Sequence, residues 1–201
     1  FNKLNIFAIK DIEIIEKNKI TYNASFNEEL IEEFKYLINT NIFFIDKKKL
    51  NYKLFNNKLI SNFNIKKNYP SKLVIQYEKT KPIANIFLNN QSFFIGSNYK
   101  LIESENIIKD LPSVFGKPKM IELKEIMEQV RLSKINIDSI TDFYYFKSKR
   151  WNIKLNNGVL IKLPKDDLLE TLNLAWNILE DKKILIRNNL NLSVKNQIII
   201  N

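Results

Sequence analysis

Cysteine and histidine are both absent from this 201-residue chain. Without cysteine there is no disulfide, no thiolate metal site and no catalytic thiol. Without histidine the commonest metal ligand and the commonest general base are gone. Glycine occurs three times and proline five, too rarely for a collagen-like or disordered chain. The three glycines, Gly96, Gly116 and Gly158, stand far apart, so no phosphate-cradling loop is present. No apolar run approaches the roughly 20 residues that span a bilayer, and no signal peptide is visible. The sequence begins at Phe1, so it reads as a piece of a longer chain, and the missing membrane anchor speaks only for this stretch. Arginine is scarce, occurring only at Arg131, Arg150 and Arg187.

What is abundant is lysine, asparagine and isoleucine. The formal net charge is +10, which points towards an anionic partner such as nucleic acid or a lipid surface. The codon bias of an AT-rich genome produces the same excess without any partner. That reading is preferred, because no nucleic-acid-binding signature accompanies the charge. Hydrophobic residues make up 45%, enough for a packed core.

The residues that could carry chemistry have plainer roles. Glu32–Glu33 and Asp166–Asp167 sit on or at the start of predicted helices, where the helix dipole accounts for acids in a first turn. No serine has a histidine partner. Trp151 and Trp176 fall on apolar faces. Lys47, Lys48 and Lys49 crowd a helix start, an unfavourable place for cations, and read as a solvated face. Catalytic, cofactor and metal residues are therefore expected to be none, and the chain is expected not to be an enzyme.

Residues 9–16 are strand-like, with Ile12 and Ile14 on one side. Ser25 and Glu28 have capping-box spacing, and Leu30, Ile31, Phe34, Leu37 and Ile38 follow at helical spacing. Asp46 is placed to cap a second helix, with Leu50, Leu54 and Phe55 inward. Period two then appears at Phe63 and Ile65. After the turn NYPS it returns at Leu73, Ile75 and Tyr77. The order is β-α-α-β-β.

The stretch EKTKP marks a seam carried by Lys79, Lys81 and Pro82, where Pro82 biases Lys81 towards extended geometry. We read residues 1–80 as one domain and 81–201 as a second, with the strand passing nearly straight through. Beyond it come short strands in IANIF, SFFIG and YKLIE, then an irregular loop in LPSVFGKP (111–118). A helix follows with Leu123, Ile126, Met127 and Val130 on one face. Strands are expected at 140–147 and 151–155, and NNG (156–158) is a hairpin turn before Val159, Ile161 and Leu163. A last helix turns Leu168, Leu172, Ala175, Trp176 and Leu179 inward. KILIR, LNLSV and QIII close the chain as strands.

Several of these segments together resemble the FtsQ/DivIB family of bacterial cell-division proteins. In the first domain these are IKDIEII, the P-x-x-L-x-I pattern at Pro70, Leu73 and Ile75, and the seam KPIA (81–84). In the second, RWNIKLNNGVLIKLP (150–164) resembles the family's R-W-x-x-x-L-x-x-G-x-x-[VI]-x-L-P, and LP at 111–112 with Gly116 resembles its L-P-x-x-x-G loop. Two positions depart. Lys79 stands where the family usually has Glu, and Asn191-Leu192-Ser193 stands where it often reads D-L-R.

The resemblance implies an α+β fold: an N-terminal POTRA domain (β-α-α-β-β), then a strand-rich β domain with two helices and a mainly antiparallel sheet. It implies a non-enzymatic divisome scaffold, anchored by a single span in the inner membrane at the septum, with this region in the periplasm. The implied partners are the periplasmic segments of FtsB and FtsL, held by strand addition at a C-terminal edge. That edge runs from Gln197 through Ile198 and Ile199 to Ile200, with Ile199 facing one side and Ile198 and Ile200 the other; Leu192 and Val194 are expected on the neighbouring strand and complete the partner-binding set. Other division proteins would meet the POTRA domain, and no nucleic acid is expected. A POTRA-containing protein of outer-membrane assembly and a basic nucleic-acid-binding module are the alternatives.

Overall fold

The computed structural model describes residues 6–20, 25–194 and 197–201. The chain divides into two compact units: Phe1–Lys81 with Gly96–Asn98, and Pro82–Ile95 with Tyr99–Asn201. Lys195 and Asn196, inside the expected closing segment, lie outside the described residues.

The first unit runs β1 (Asp11–Glu16), α1 (Phe26–Phe34), α2 (Lys47–Asn56), β2 (Ile60–Asn68) and β3 (Lys72–Lys79), with 3-10 turns at Lys35–Leu37 and Ile42–Phe44 between the helices. Its sheet order is β1-β3-β2, with β1 parallel and β2 antiparallel to β3. Phe26, Leu30 and Phe34 from α1, and Leu50 and Leu54 from α2, join Leu73, Ile75 and Tyr77 of β3 in one core. Asp46 caps α2, its side chain accepting from the Lys49 N–H at 3.1 Å.

Two expectations fail here. Phe55 and Ile31 do not face inward but are exposed, because the inward arcs of these short helices are filled by Leu50, Leu54, Leu30 and Phe34. The Ser25 side chain makes no cap bond, and its Oγ donates to Glu29 Oε1 at 2.7 Å instead. A bulge at Ser61 shifts the β2–β3 register, so that Ile60 pairs with Lys79 but Asn62 with Glu78.

The second unit holds β4 (Pro82–Leu88), β5 (Gln91–Gly96), β6 (Leu101–Glu103), β7 (Ser113–Phe115), α3 (Met120–Leu132), β8 (Ile140–Tyr145), β9 (Trp151–Leu155), β10 (Leu160–Lys162), α4 (Leu168–Glu180), β11 (Asn189–Asn191) and β12 (Ile199–Ile200). These strands form one sheet in the order β12-β11-β10-β9-β8-β7-β4-β5-β6.

The sheet is mixed, with most of its described pairings antiparallel, as in β8–β9, β9–β10, β11–β12 and β5–β6. β4–β7, β7–β8 and β10–β11 are parallel. Two of these pairings are strand–helix–strand crossovers, through α3 and through α4, and a helix crossover returns the chain in the same direction. LPSVFGKP is not a loop throughout. Its Ser113–Phe115 forms β7, held between β4 and β8. KILIR is not a strand, because Asp181 folds it into a turn: its backbone O accepts from Ile184 N–H and its side chain from Lys183 N–H, both at 2.9 Å.

A single register row, Ile86, Val114, Phe143, Ile153, Ile161, Leu190 and Ile200, crosses seven strands on the core side. Leu123, Ile126, Met127 and Val130 of α3 and Leu172, Ala175 and Ile178 of α4 belong to the same core. Trp151 is buried there, its ring edge-on to Phe143 at 6.3 Å. The NNG turn connects β9 to β10 with Gly158 at φ 89°, a value only glycine adopts freely.

Candidate partner-binding edge

The C-terminal segment builds one end of the large sheet. β11 lies parallel to β10, reached through the α4 crossover, and the Leu160 N–H donates to Asn188 O at 3.0 Å. β11 stops at Asn191 for a local reason. The Asn191 side-chain oxygen accepts from the Ser193 N–H at 3.0 Å and from Ser193 Oγ at 2.7 Å. This Asx turn bends the chain out of the ladder. The two residues that depart from the family's D-L-R pattern thus bond to each other. The Gln197 N–H then donates to Val194 O at 3.2 Å, and the chain returns as β12.

β12 runs antiparallel to β11, pairing Ile200 with Leu190 and Ile199 with Asn191. Asn201 and Asn189 exchange both backbone bonds at 3.1 Å. In an antiparallel ladder, bonded and non-bonded pairs alternate. Ile199 therefore bonds inward to Asn191, while the N–H and C=O of Ile200 point out of the sheet. Since β12 ends the strand order, no described strand lies beyond it. The outward donor is thus Ile200 and not Ile199. A proline at 199 breaks the contact with β11, not the free edge.

The six residues assigned to this edge separate into three kinds. Leu192 is buried, its N–H donating to Lys162 O at 2.9 Å, so it supports the sheet and is not offered to a partner. It and Val194 lie beyond the end of β11, not on a neighbouring strand. Ile200 packs partly against the core. Val194, Ile198 and Ile199 are exposed apolar side chains, and Gln197 is exposed beside them. Ile199 faces away from Ile200, whereas Ile198 precedes the strand and does not share the burial of Ile200. Backbone groups open at an edge, flanked by apolar side chains, are the chemistry that accepts an additional strand.

The seam residues are structural parts of the β3–β4 link. Lys79 is 3% exposed. Its Nζ lies 3.3 Å from Glu16 Oε2 and donates to Ile20 O at 3.2 Å. Its backbone N–H and O are both bonded by the Asn18 side chain at 2.7 Å. Lys81 exchanges bonds with Ser97: its O accepts from the Ser97 N–H at 2.7 Å, and its N–H donates to Ser97 Oγ at 3.2 Å. Pro82 opens β4. Sequence reasoning missed the Glu16–Lys79 pair, although Lys79 standing in place of the family's Glu was its visible signal.

The family model described as cell division protein FtsQ/DivIB, C-terminal, matches residues 87–190. A curated relative, cell division protein FtsQ of Rickettsia bellii (strain RML369-C), is 25% identical over 134 residues, which is 66% of this chain and 50% of that protein. The chain thus spans about half the length of the relative. Among solved structures, the major extracytoplasmic domain of the trans isomer of the cell-division protein DivIB from Geobacillus stearothermophilus aligns with a TM-score of 0.37. It is 14% identical and covers 53% of this chain and 98% of that one.

Proposed function

The chain belongs to the FtsQ/DivIB family, whose C-terminal model covers residues 87–190, and from that premise we propose that it is a non-enzymatic scaffold of the bacterial division machinery that takes a partner strand on β12. The observation that carries this is the open outer side of β12, with the Ile200 N–H and C=O directed outward and Val194, Ile198 and Ile199 exposed around them. The partner is the periplasmic segment of the FtsB–FtsL pair, and the role is to connect early with late division proteins ahead of septal wall synthesis. The first unit serves as a POTRA domain for other division proteins, residues 1–80 and 81–201 being the two domains. FtsQ-family proteins are inner-membrane proteins of the septum. No described helix here is long and apolar enough to cross a membrane, so the single-span anchor and periplasmic placement belong to this proposal.

The test is calorimetric titration of the chain with its FtsB–FtsL periplasmic segments, comparing the parent with a semisynthetic protein N-methylated at Ile200. N-methylation deletes the outward donor and leaves the β11–β12 bonds in place. Saturable binding weakened about tenfold or more by the methyl group supports strand addition; a net hydrogen bond of about 1 kcal/mol plus a steric block accounts for that size. Equal binding of both proteins contradicts it.

A further inference from the structure

The first unit carries an exposed aromatic tip that the proposed strand edge does not use. Residues 42–45 read Ile-Phe-Phe-Ile. Ile42 and Ile45 are buried, so the turn between them is anchored at both ends. Its backbone is also held. The Ile42 N–H donates to Phe7 O at 2.8 Å, the Phe43 N–H to the Asn41 side chain at 2.9 Å, and the Phe44 N–H to Asn41 O at 3.0 Å. This fixed turn presents Phe43, 51% exposed, and Phe44, 85% exposed, to solvent. Phe7 packs edge-on to Phe43 at 4.9 Å, and Tyr69 stacks on it at 5.0 Å. Ile6 and Tyr69 are exposed as well. Large apolar side chains gathered on a rigid support mark an interaction surface.

Lysines predominate among the charges around these rings. Lys67 Nζ donates to Phe43 O at 3.4 Å. Partial burial, and then the neighbouring charge of Lys47, lower the Lys67 amine from its ordinary value, which places a second cation close by. Exposed Lys48 follows Lys47, and exposed Lys10 bonds through its N–H to Ser71 O beside Tyr69. The acids nearest in the chain are engaged: Asp46 caps α2, and Asp11 pairs with Lys72 at 3.2 Å. The rings protrude. The nearby α2–β2 groove shares Lys47 with these lysines but holds neither Phe43 nor Phe44, being lined otherwise by residues such as Tyr52, Phe55, Phe63 and Ile65. A projecting pair of phenylalanines with a tyrosine and a collar of lysines matches a bilayer interface, where aromatic rings sit at headgroup depth and cations meet anionic headgroups.

We infer that the Ile42–Ile45 turn is a membrane-docking tip, with Phe43 and Phe44 entering the interface of an anionic bilayer and Lys47, Lys48 and Lys67 facing its headgroups. This contact is independent of the β12 edge.

The test uses the 201-residue chain and sedimenting vesicles, either pure phosphatidylcholine or an equal mixture with phosphatidylglycerol. Binding is expected to the mixed vesicles only, and to fall as salt rises. It should be abolished by Phe43→Ser with Phe44→Ser, and weakened about fivefold by each of Lys47→Gln and Lys67→Gln. Because the two phenylalanines are exposed, the serine variant keeps its far-UV spectrum. In a Phe44→Trp variant, brominated lipid should quench the new indole. N-methylation at Ile200 should leave vesicle binding unchanged while it weakens the division partner, so the two proposals fail separately. Absence of binding to anionic vesicles, binding untouched by the serine substitutions, or an unquenched indole overturns the inference. So does a dimer in sedimentation equilibrium that the serine variant returns to monomer, because a second copy then covers the rings.

Discussion

Removing Lys79 or Glu16 should destabilise the first unit unequally, and removing both should cost less than the sum. Lys79 is 3% exposed at its side chain and Glu16 15%, with Nζ and Oε2 3.3 Å apart. The Glu16 carboxylate has a further donor, the Ile20 N–H at 3.0 Å, and the Tyr77 hydroxyl lies 3.3 Å away while donating to Asn27 Oδ1 at 2.8 Å. Breaking a buried pair from one side costs about 3–5 kcal/mol because a charge is left in low dielectric. Glu16→Leu removes the counter-charge of the more deeply buried ammonium, which keeps its bond to Ile20 O at 3.2 Å, and should fall at the lower end of that range. Lys79→Met leaves a carboxylate that keeps the Ile20 N–H and is the more exposed partner, open to some water, so about 2–3 kcal/mol is expected. The double variant places two apolar chains where two charges stood, and should lie within about 1 kcal/mol of the parent. Trp151 and Trp176 both lie in the second unit, so their fluorescence does not report on this site. Hydrogen exchange of the β3 amides in rising urea does. Additive losses, or a Lys79→Met variant as stable as the parent, would refute the pairing argument.

Three other outcomes concern the second unit and are read by its tryptophans. Gly116 has φ +97°, and an added Cβ would collide with the Tyr145 carbonyl, so Gly116→Ala should cost at least about 1–2 kcal/mol from φ alone. An unchanged urea midpoint would show that the β7–α3 turn is not fixed as described. Phe143→Ala removes the aromatic member of the cross-sheet row and should cost about 3–5 kcal/mol, with the Trp151 emission shifted because their rings touch. Glu122 is held below the usual carboxylate range, first by the Tyr145 hydroxyl and then by the Lys119 N–H at 2.8 Å. Its stabilisation is present above the unfolded value of about 4.3 and is lost as pH falls through the lower folded value. Tyr145 is pushed up to about 12, first by burial and then by Glu122. Its contribution is full below about pH 10 and is lost as pH rises towards the folded value. Glu122→Gln should therefore reduce stability at pH 7 and match the parent near pH 2; equal stability at pH 7 would refute the bond.

Long periodic segments were legible in the sequence because their apolar spacing is set by the core they face. The arc Leu123, Ile126, Met127 and Val130 became α3 with all four buried, and Val159, Ile161 and Leu163 alternate into the core as read. Short elements were not legible. β7 has three residues between Pro112 and Gly116, too few for a period to show, yet it sits inside the sheet and makes two of the parallel pairings. KILIR carried the opposite error: Ile184 and Ile186 alternate because both touch the core from a turn, not from a strand. Outward placement of Phe55 and of Ile31 was hidden for a related reason, since short helices need only two or three inward residues. At the candidate edge the apolar run 198–200 was visible. Which backbone amide points outward was not, because it depends on the phase of the ladder set by the Asn189–Asn201 pair.

The most direct measurement is amide exchange at Ile199 and Ile200, free and with the FtsB–FtsL segments bound. The proposed function predicts that Ile199, bonded to Asn191, is protected in both states, and that Ile200 exchanges freely alone and becomes protected in the complex. An Ile200 amide that exchanges as fast in a saturated complex as in the free chain would contradict strand addition at β12.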